Sequence, residues 1–220
     1  LKNNKPDLSN IRSSFSSIRK YLKKNQILIL ESTSYPGTTE EEIVNKIKQR
    51  FKIGENFYVG FSSERINPGV NENSLREIPK VTSGYTKNCS LLISKFYSMF
   101  FKKIVEAKSL KIAEFSKLLE NIYRAVNISF YNEMKLVADK MHLDIFDVIE
   151  VAKTKPYGFR PFNPGPGYGG HCIPIDPIYM FYKAKKYNIQ PKFIKLAADV
   201  NNKIILHIIN KLKLVLKNKN

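Results

Sequence analysis

The sequence of 220 residues is poor in the residues that cross-link small folds or bind metals, since it holds two cysteines and three histidines. Cys89 and Cys172 form neither a disulfide framework nor a metal-binding spacing. A zinc site built from His171, Cys172 and Asp176 would lack a fourth ligand, so no metal centre is predicted. Unpaired cysteines are typical of a reducing compartment, and we expect a cytoplasmic protein.

Long apolar runs are also missing. None approaches the roughly 20 residues that a membrane-spanning helix needs, and the longest apolar stretches are interrupted by Lys or Asn. The first ten residues are polar, lack the order of a signal peptide and lack an initiating Met. We therefore expect no membrane partner, and a chain that is an internal piece of a longer protein.

Acidic residues are scarce: 19 Asp and Glu stand against 37 Lys and Arg, which gives a formal net charge of +18. Such an excess would release counterions from phosphates, so a basic interaction protein that binds nucleic acid is one hypothesis. The lysines are spread along the whole chain, however, and no recognised nucleic-acid module occurs. We therefore expect the positive charge to attract a small anionic substrate, and we expect no nucleic-acid partner.

The front of the chain alternates strand and helix signals. A short continuous apolar run predicts a strand buried on both faces at Gln26–Leu30. Further strand signals lie at Phe57–Phe61, Lys80–Ser83 and Lys103–Glu106. A helix is predicted at Lys87–Phe101, between the last two strands. Strands that alternate with helices indicate the α/β class and a parallel, doubly wound sheet.

The turn at Pro36-Gly37 predicts the start of another helix. Thr38 or Thr39 could cap its N-terminus, and the acidic run Glu40-Glu41-Glu42 suits the positive end of the helix dipole. One motif is absent: a dinucleotide-binding half normally opens with a strand and Gly-x-Gly-x-x-Gly. The α/β part begins too late to contain that motif, so we expect the first half of this domain to be missing.

From about residue 109 the pattern becomes helical. Apolar residues recur at helical spacing over about 30 residues, namely Ile112, Phe115, Leu118, Leu119, Ile122, Val126 and Phe130. Further helices are predicted at Ile145–Ala152, Asp176–Tyr187 and Phe193–Leu216, with a Pro/Gly-rich loop over 156–170. The sequence thus predicts an incomplete α/β domain over residues 1–108 and an all-helical domain over 109–220.

The strongest local signal is the loop Gly165-Pro-Gly-Tyr-Gly-Gly-His-Cys-Ile-Pro-Ile-Asp-Pro177. Its glycines permit positive φ and let backbone amides approach a ligand closely, and such amides can cradle an anion. Cys172 lies just before the predicted helix at Asp176, a position that favours a nucleophilic thiol. From the loop alone, a structural turn with an inert cysteine is an equal alternative.

This loop resembles the active-site loop of the UDP-glucose/GDP-mannose dehydrogenase family. Three other segments resemble the same family in the same order, at Glu31–Thr39, Phe61–Gly69 and Ala113–Asn127. Four ordered motifs that cover nearly the whole chain are far more specific than any one of them. The string Thr154–Phe162 is most similar to the UDP-N-acetylglucosamine 6-dehydrogenases of that family.

The resemblance implies a Rossmann-like NAD-binding domain followed by a central dimerisation domain. It also implies NAD-dependent oxidation of a UDP-sugar 6-hydroxyl to the carboxylate, through a thiohemiacetal and a thioester on Cys172. Lys117 and Asn121, at i and i+4 of one helix, would stabilise the developing oxyanion. Asp176 would hold a proton-relay water with Thr33 or assist deprotonation, and Glu64 would be the base for thioester hydrolysis.

Other residues would contact the ligands, again by resemblance. Ser32, Thr33 and Glu64 would lie at the cofactor. A second group would bind substrate alongside Lys117 and Asn121, and it comprises Arg160, Phe162, Gly165, Gly167 and Gly169. Arg160 is placed where some family members reach the active site of a neighbouring subunit.

Several alternatives remain open at this point. The sugar could be UDP-glucose or UDP-N-acetylmannosamine instead of UDP-N-acetylglucosamine. The protein could also be an inactive, truncated module that forms a homodimer through its helical part. The five retained residues Cys172, Lys117, Asn121, Asp176 and Glu64 favour descent from an active enzyme. We expect the isolated chain to be inactive, because half the cofactor site and the nucleotide site would be missing.

Overall fold

The structure, a computed structural model, describes residues 6–65, 75–170 and 172–217. The chain forms two compact units, Leu1–Leu119 and Glu120–Asn220. The division falls within a helix of 31 residues, Leu110–Lys140. Residues 66–69 of the Phe61–Gly69 motif and His171 of the glycine-rich loop lie outside the described residues.

The first unit contains the predicted strands and helices. In chain order its described elements are α1 (Ser9–Arg19), β1 (Ile27–Leu30), α2 (a π-helical segment Glu40–Val44 continued by Asn45–Ile47), β2 (Tyr58–Phe61), β3 (Lys80–Gly84), α3 (Lys87–Ser98), β4 (Ile104–Glu106) and the start of α4 (Leu110–Lys140). Helix α1 is not among the predicted elements, because its serine-rich sequence has a modest helix propensity. Burial of Phe15 in the core ties this helix to the unit.

Helices cover both faces of the sheet, and the side chains of β1 alternate between these two faces. In β1, Leu28 and Leu30 pack into the cluster that contains α2, whereas Ile27 and Ile29 pack against the buried face of α3. Side chains of successive strand residues point to opposite faces, so an unbroken apolar run is what a strand buried on both sides requires. The α/β class that the sequence predicts is confirmed.

The prediction of a parallel sheet is wrong at one pair of strands. The strand order is β1-β2-β3-β4, and β1 with β2 and β3 with β4 are parallel. Strands β2 and β3 pair antiparallel, with Phe61 opposite Ser83. Every residue of β3 is buried, as is typical of a parallel strand, so its local sequence does not reveal the reversed direction.

The predicted threonine cap of α2 is also wrong. The Thr38 hydroxyl donates to the Tyr35 carbonyl at 2.7 Å, and neither threonine caps α2 by its side chain. The carboxylate of Glu114 takes that role: it accepts from the backbone N–H of Gly37, and from the N–H and hydroxyl of Thr39 at 2.8 and 2.7 Å. A carboxylate at a helix N-terminus satisfies free N–H groups and complements the helix dipole.

The second unit is helical, as predicted. Beyond α4 its described helices are α5 (Ile145–Ala152), α6 (Asp176–Lys185) and α7 (Lys192–Lys217). The Asp144 side chain caps α5 by accepting from Phe146 N–H at 2.8 Å. A core cluster around Tyr131, Ile145 and Ile149 holds α5 on α4. Across the described ranges, no helix has the length and apolarity needed to cross a membrane.

The Glu114 cap yields a stability prediction. We expect Glu114→Ala to lower the free energy of unfolding by about 2–4 kcal/mol, because three buried donors lose a charged acceptor. Urea denaturation followed by circular dichroism measures the change. Glu133→Ala is the matched control, since Glu133 is exposed on the same helix and its loss should cost less than about 0.5 kcal/mol. Equal midpoints for the two variants would contradict the capping role.

Candidate active site

In the first unit, the predicted cofactor residues follow the carboxyl ends of two adjacent parallel strands. Ser32 and Thr33 follow β1, and Glu64 follows β2. Ser32 is exposed, Thr33 is partly buried, and the Glu64 side chain is half exposed. Ligands of open α/β sheets bind beyond the carboxyl ends of the strands, so these three residues lie where a ligand of this unit would be expected.

A buried cation lies at the same edge of the sheet. Lys80 is 4% exposed, and its Nζ is 3.1 Å from Glu31 Oε1 and 3.5 Å from Glu64 Oε2. The Tyr97 hydroxyl donates to Glu31 at 2.6 Å, and burial together with this carboxylate raises the pKa of Tyr97. The Tyr97 and Phe101 rings lie 5.0 and 5.4 Å from Lys80 Nζ. The cluster thus places a buried positive charge beside Glu64.

In the second unit, Asn121 and Asp176 are brought together. Asn121 on α4 is completely buried, and its Nδ2 donates to Oδ2 of Asp176, which is 3% exposed. Arg124, one helical turn further along α4, donates from Nη2 to Asn121 Oδ1. A buried carboxylate, an amide and a guanidinium therefore form one continuous hydrogen-bonded chain.

Cys172 joins this arrangement through its backbone. Its carbonyl accepts from the N–H groups of Ile175 and Asp176, at 3.1 and 2.9 Å, in the turn that leads into α6. The cysteine itself is exposed, whereas Cys89 is fully buried. An exposed thiol one turn before a buried carboxylate is accessible to a substrate.

The glycine-rich loop is tied to two helices by asparagine side chains. Gly165 N–H donates to Asn132 Oδ1 on α4 at 2.8 Å, and Tyr168 N–H donates to Asn201 Oδ1 on α7 at 2.7 Å. Gly167 has φ of 110°, and a Cβ there would lie 3.0 Å from Asn201 Oδ1. A side chain at this position would be strained and crowded, so the loop path requires glycine.

The remaining predicted residues differ in their surroundings. Lys117 is partly buried one turn before Asn121 on α4, and it forms no side-chain hydrogen bond with a described residue. Arg160 and Gly169 are exposed. Phe162 is partly buried and packs against Tyr123 and Tyr131, with both ring centroids at 6.0 Å.

The sequence reasoning missed Lys80 and Arg124. Arg124 carries a usable signal, because a charged residue at i+3 from a candidate catalytic asparagine shares its helix face. Lys80 carries a weaker one, a lysine at the start of a buried strand. Within the described ranges, no group of three or more His, Cys, Asp or Glu residues could hold a metal ion.

Comparison with known proteins identifies relatives of both units. The profile of the UDP-glucose/GDP-mannose dehydrogenase family, NAD binding domain, matches residues 1–101, and that of the central domain matches residues 111–203. The UDP-N-acetyl-D-glucosamine 6-dehydrogenase of Pseudomonas aeruginosa is 38% identical over 94% of this chain and 49% of its own length. That of Salmonella typhi is 36% identical over 90% of this chain and 47% of its own.

A solved structure resembles the whole chain. The UDP-D-ManNAc dehydrogenase of Pyrococcus horikoshii superposes with a TM-score of 0.92 at 30% identity, over 100% of this chain and 52% of its own. The chain therefore spans about half the length of the relatives that it matches.

Proposed function

The chain belongs to the UDP-glucose/GDP-mannose dehydrogenase family, and on that premise we propose that it carries the catalytic residues of an NAD-dependent nucleotide-sugar dehydrogenase. Within this proposal, residues 1–108 are part of the NAD-binding domain and residues 109–220 are the helical central domain. The reaction converts the 6-hydroxyl of a UDP-sugar to a carboxylate. Its setting would be the cytoplasm, where an exposed thiol such as Cys172 stays reduced.

The observation that carries the proposal is the buried pair of Asn121 and Asp176, with exposed Cys172 one turn before Asp176. Burying a carboxylate costs free energy, and a structural turn does not need one. A thiol that adds to an aldehyde does need a proton acceptor and an oxyanion stabiliser nearby. The pair supplies both kinds of group.

The residues divide the chemistry as follows. Lys117 and the Asn121 amide stabilise the oxyanion that develops on the sugar oxygen, and Asp176 relays the proton. Loss of a proton and a hydride would first convert the 6-hydroxyl to an aldehyde. Cys172 Sγ then adds to the aldehyde carbon to give a thiohemiacetal, and loss of a second proton and hydride from this adduct would give a thioester. Water then releases the carboxylate and regenerates the thiol, with Glu64 as the base that takes a proton from the water.

The cofactor would lie beyond β1 and β2, in contact with Ser32, Thr33 and Glu64. The polar side chains at the carboxyl ends of a parallel strand pair, covered by helices on both faces, fit a dinucleotide there. NAD⁺ would supply the hydride acceptor for each of the two oxidations. The chain's contribution at this edge is to hold Glu64 in place through buried Lys80.

The first prediction of this proposal concerns the nucleophile. The test uses a chimaera, called the completed protein below, in which this chain replaces the matching half of the Pseudomonas aeruginosa relative. Cys172→Ser should reduce formation of the uronic acid by at least about a thousandfold, because a serine alkoxide adduct is harder to form and oxidise. NADH absorbance and product chromatography measure both oxidation and acid release.

The control is Cys89→Ser, which changes the other cysteine. Cys89 is buried beside the Thr86 hydroxyl, which can accept or donate to a serine, so turnover should stay within about threefold of the wild type. Uronic acid formed by the Cys172→Ser protein at the wild-type rate would remove Cys172 from the mechanism.

The substrate that we propose is UDP-N-acetylglucosamine. Support comes from the segment Thr154–Phe162 and from the two relatives named for that substrate. UDP-N-acetylmannosamine is the nearest rival, because the Pyrococcus horikoshii relative is named for it. In the structure, Phe162 and the backbone of Gly165 are fixed by packing and by Asn132, so the loop offers a defined wall for a sugar substituent. Arg160 is exposed beside it and would contact the substrate.

The completed protein should therefore discriminate between UDP-sugars. A site shaped for an N-acetyl group leaves groups unfilled or unpaired when UDP-glucose binds, which costs roughly 1–3 kcal/mol, or about ten- to a hundredfold in kcat/KM. The measurement compares kcat/KM for UDP-N-acetylglucosamine, UDP-N-acetylmannosamine and UDP-glucose. Equal or better turnover of either competitor would refute this choice and leave the dehydrogenase chemistry standing.

We further propose a homodimer formed through α4. The helix presents an exposed apolar stripe along the predicted stretch, and its members are Ile112, Phe115, Leu119, Tyr123 and Phe130. Phe193 and Leu196 of α7 are exposed beside Phe130 around a shared cleft. Burial of apolar surface stabilises by about 25 cal/mol per Å², and a two-fold related copy offers a matching stripe.

The dimer prediction is tested with the chain itself. Light scattering should give twice the mass of the chain, and Phe130→Glu should shift the protein toward monomer, because a buried unpaired charge opposes association. Phe100→Glu is the matched control, since Phe100 is similarly exposed (51% against 52%) but lies outside the stripe. A wild-type chain that stays monomeric at high concentration would contradict the proposal.

A further inference from the structure

Arg124 and Asp176 bond to opposite ends of the Asn121 side-chain amide. Arg124 Nη2 donates to Asn121 Oδ1, while Asn121 Nδ2 donates to Asp176 Oδ2. On the basis of the proposed function, we propose that Arg124 is a positioning residue for oxyanion stabilisation: it fixes which way the Asn121 amide points and strengthens its N–H as a donor.

The orientation follows from donor and acceptor chemistry. A guanidinium only donates hydrogen bonds, and an ionised carboxylate only accepts them. The amide of Asn121 can satisfy both neighbours in one orientation only, with its oxygen toward Arg124 and its NH₂ toward Asp176. Asn121 has no exposed surface, so an amide turned the other way would gain no water in return.

The same arrangement prepares a donor for the substrate. An amide NH₂ carries two N–H groups, and Asp176 uses one of them. The cation at the carbonyl oxygen draws electron density from the NH₂ group, which strengthens the second N–H as a donor. Within the proposal, this second N–H would donate to the oxyanion, and a donor whose orientation is set beforehand lowers the barrier with little reorganisation during the reaction.

An arginine that only stabilised the surface of the helix would be more exposed to solvent than Arg124. Arg124 is partly buried, and its Nε–H is shielded from solvent with no hydrogen-bond partner in the part of the chain that the structure describes. Removing that group from water has a free-energy cost, which a surface arginine three residues from a partner avoids. The position therefore favours a role for Arg124 at Asn121 over a general contribution to helix stability.

The first test reads the amide directly and does not depend on activity. In the ¹⁵N-labelled chain, hydrogen exchange of the Asn121 side-chain NH₂ is followed by NMR, with the signal assigned from its loss in Asn121→Asp. Arg124→Met should accelerate this exchange by about tenfold or more, and Arg124→Lys should give an intermediate rate. Lys140→Met, an exposed charge on the same helix, should leave the exchange rate unchanged.

Exchange in Arg124→Met at the wild-type rate would overturn the positioning role. If Arg124→Met does not fold, Arg124→Lys decides in the same way: a rate equal to the wild type overturns the proposal, and a faster one supports it.

The second test uses the completed protein. Single-turnover hydride transfer with UDP-N-acetylglucosamine should slow by about tenfold in Arg124→Met, which is less than the hundredfold or more expected for removing an oxyanion donor outright. KM should change by less than about threefold, because the ground state does not carry the developing charge. Arg124→Lys should restore part of the rate, and Lys140→Met should match the wild type.

The two tests separate the possible failures. Faster exchange with an unchanged rate of hydride transfer would overturn the catalytic part of the inference and leave only a structural contact. A completed wild-type protein that oxidises none of the three UDP-sugars would refute the proposed function, while the exchange rates would still decide whether Arg124 positions Asn121.

Discussion

The long helix α4 buries polar side chains, and several of them bond to groups far along the chain. Within the first unit, Glu114 accepts from the turn that starts α2. Within the second, Asn121 reaches Asp176, Ser129 donates to the Ala197 carbonyl at 2.9 Å, and Asn132 accepts from Gly165. A buried polar group without a partner costs about 1–3 kcal/mol, more than the 0.5–1.5 kcal/mol that a typical satisfied bond contributes. These bonds therefore help to fix the segments that pack against α4 within each unit.

This constraint suits a site that must hold charge away from water. An apolar helix face could pack the loops as tightly, but it would specify neither their register nor the direction in which a donor points. Asn132 bonds the N–H of Gly165, and Asn201 on α7 bonds that of Tyr168, so the loop before Cys172 is fixed at two points three residues apart. Asp176 then begins α6 with its carboxylate already bonded to Asn121. Two polar groups of the proposed mechanism, Asn121 and Asp176, are therefore positioned by a bond that also stabilises the fold.

The sequence predicts what periodicity and local motifs encode. An apolar run located β1, short strand signals located the other three strands, helical spacing located α4, and the glycine-rich loop marked Cys172 and Asp176. Several of the misses have the same cause, dependence on a partner far along the chain. Thr39 looks like a helix cap, yet its hydroxyl donates to Glu114, 75 residues away. Lys80 looks like a strand residue, and its role depends on Glu31 and Glu64. The bond between Asn121 and Asp176 spans 55 residues, so family resemblance could place both at one site while neither spacing nor composition could.

The antiparallel pairing of β2 and β3 shows how such a long-range feature serves the proposed site. Because β3 runs against β2, with Phe61 opposite Ser83, the start of β3 lies beside the end of β2. A parallel β3 would carry its first residue to the opposite edge of the sheet. The reversal is what brings Lys80 to the carboxyl ends of β1 and β2, where its ammonium group reaches both Glu31 and Glu64. A lysine that is almost completely buried needs its charge balanced, and these two carboxylates balance it. The strand direction that the local sequence could not reveal is therefore the feature that brings a buried positive charge beside the proposed hydrolytic base.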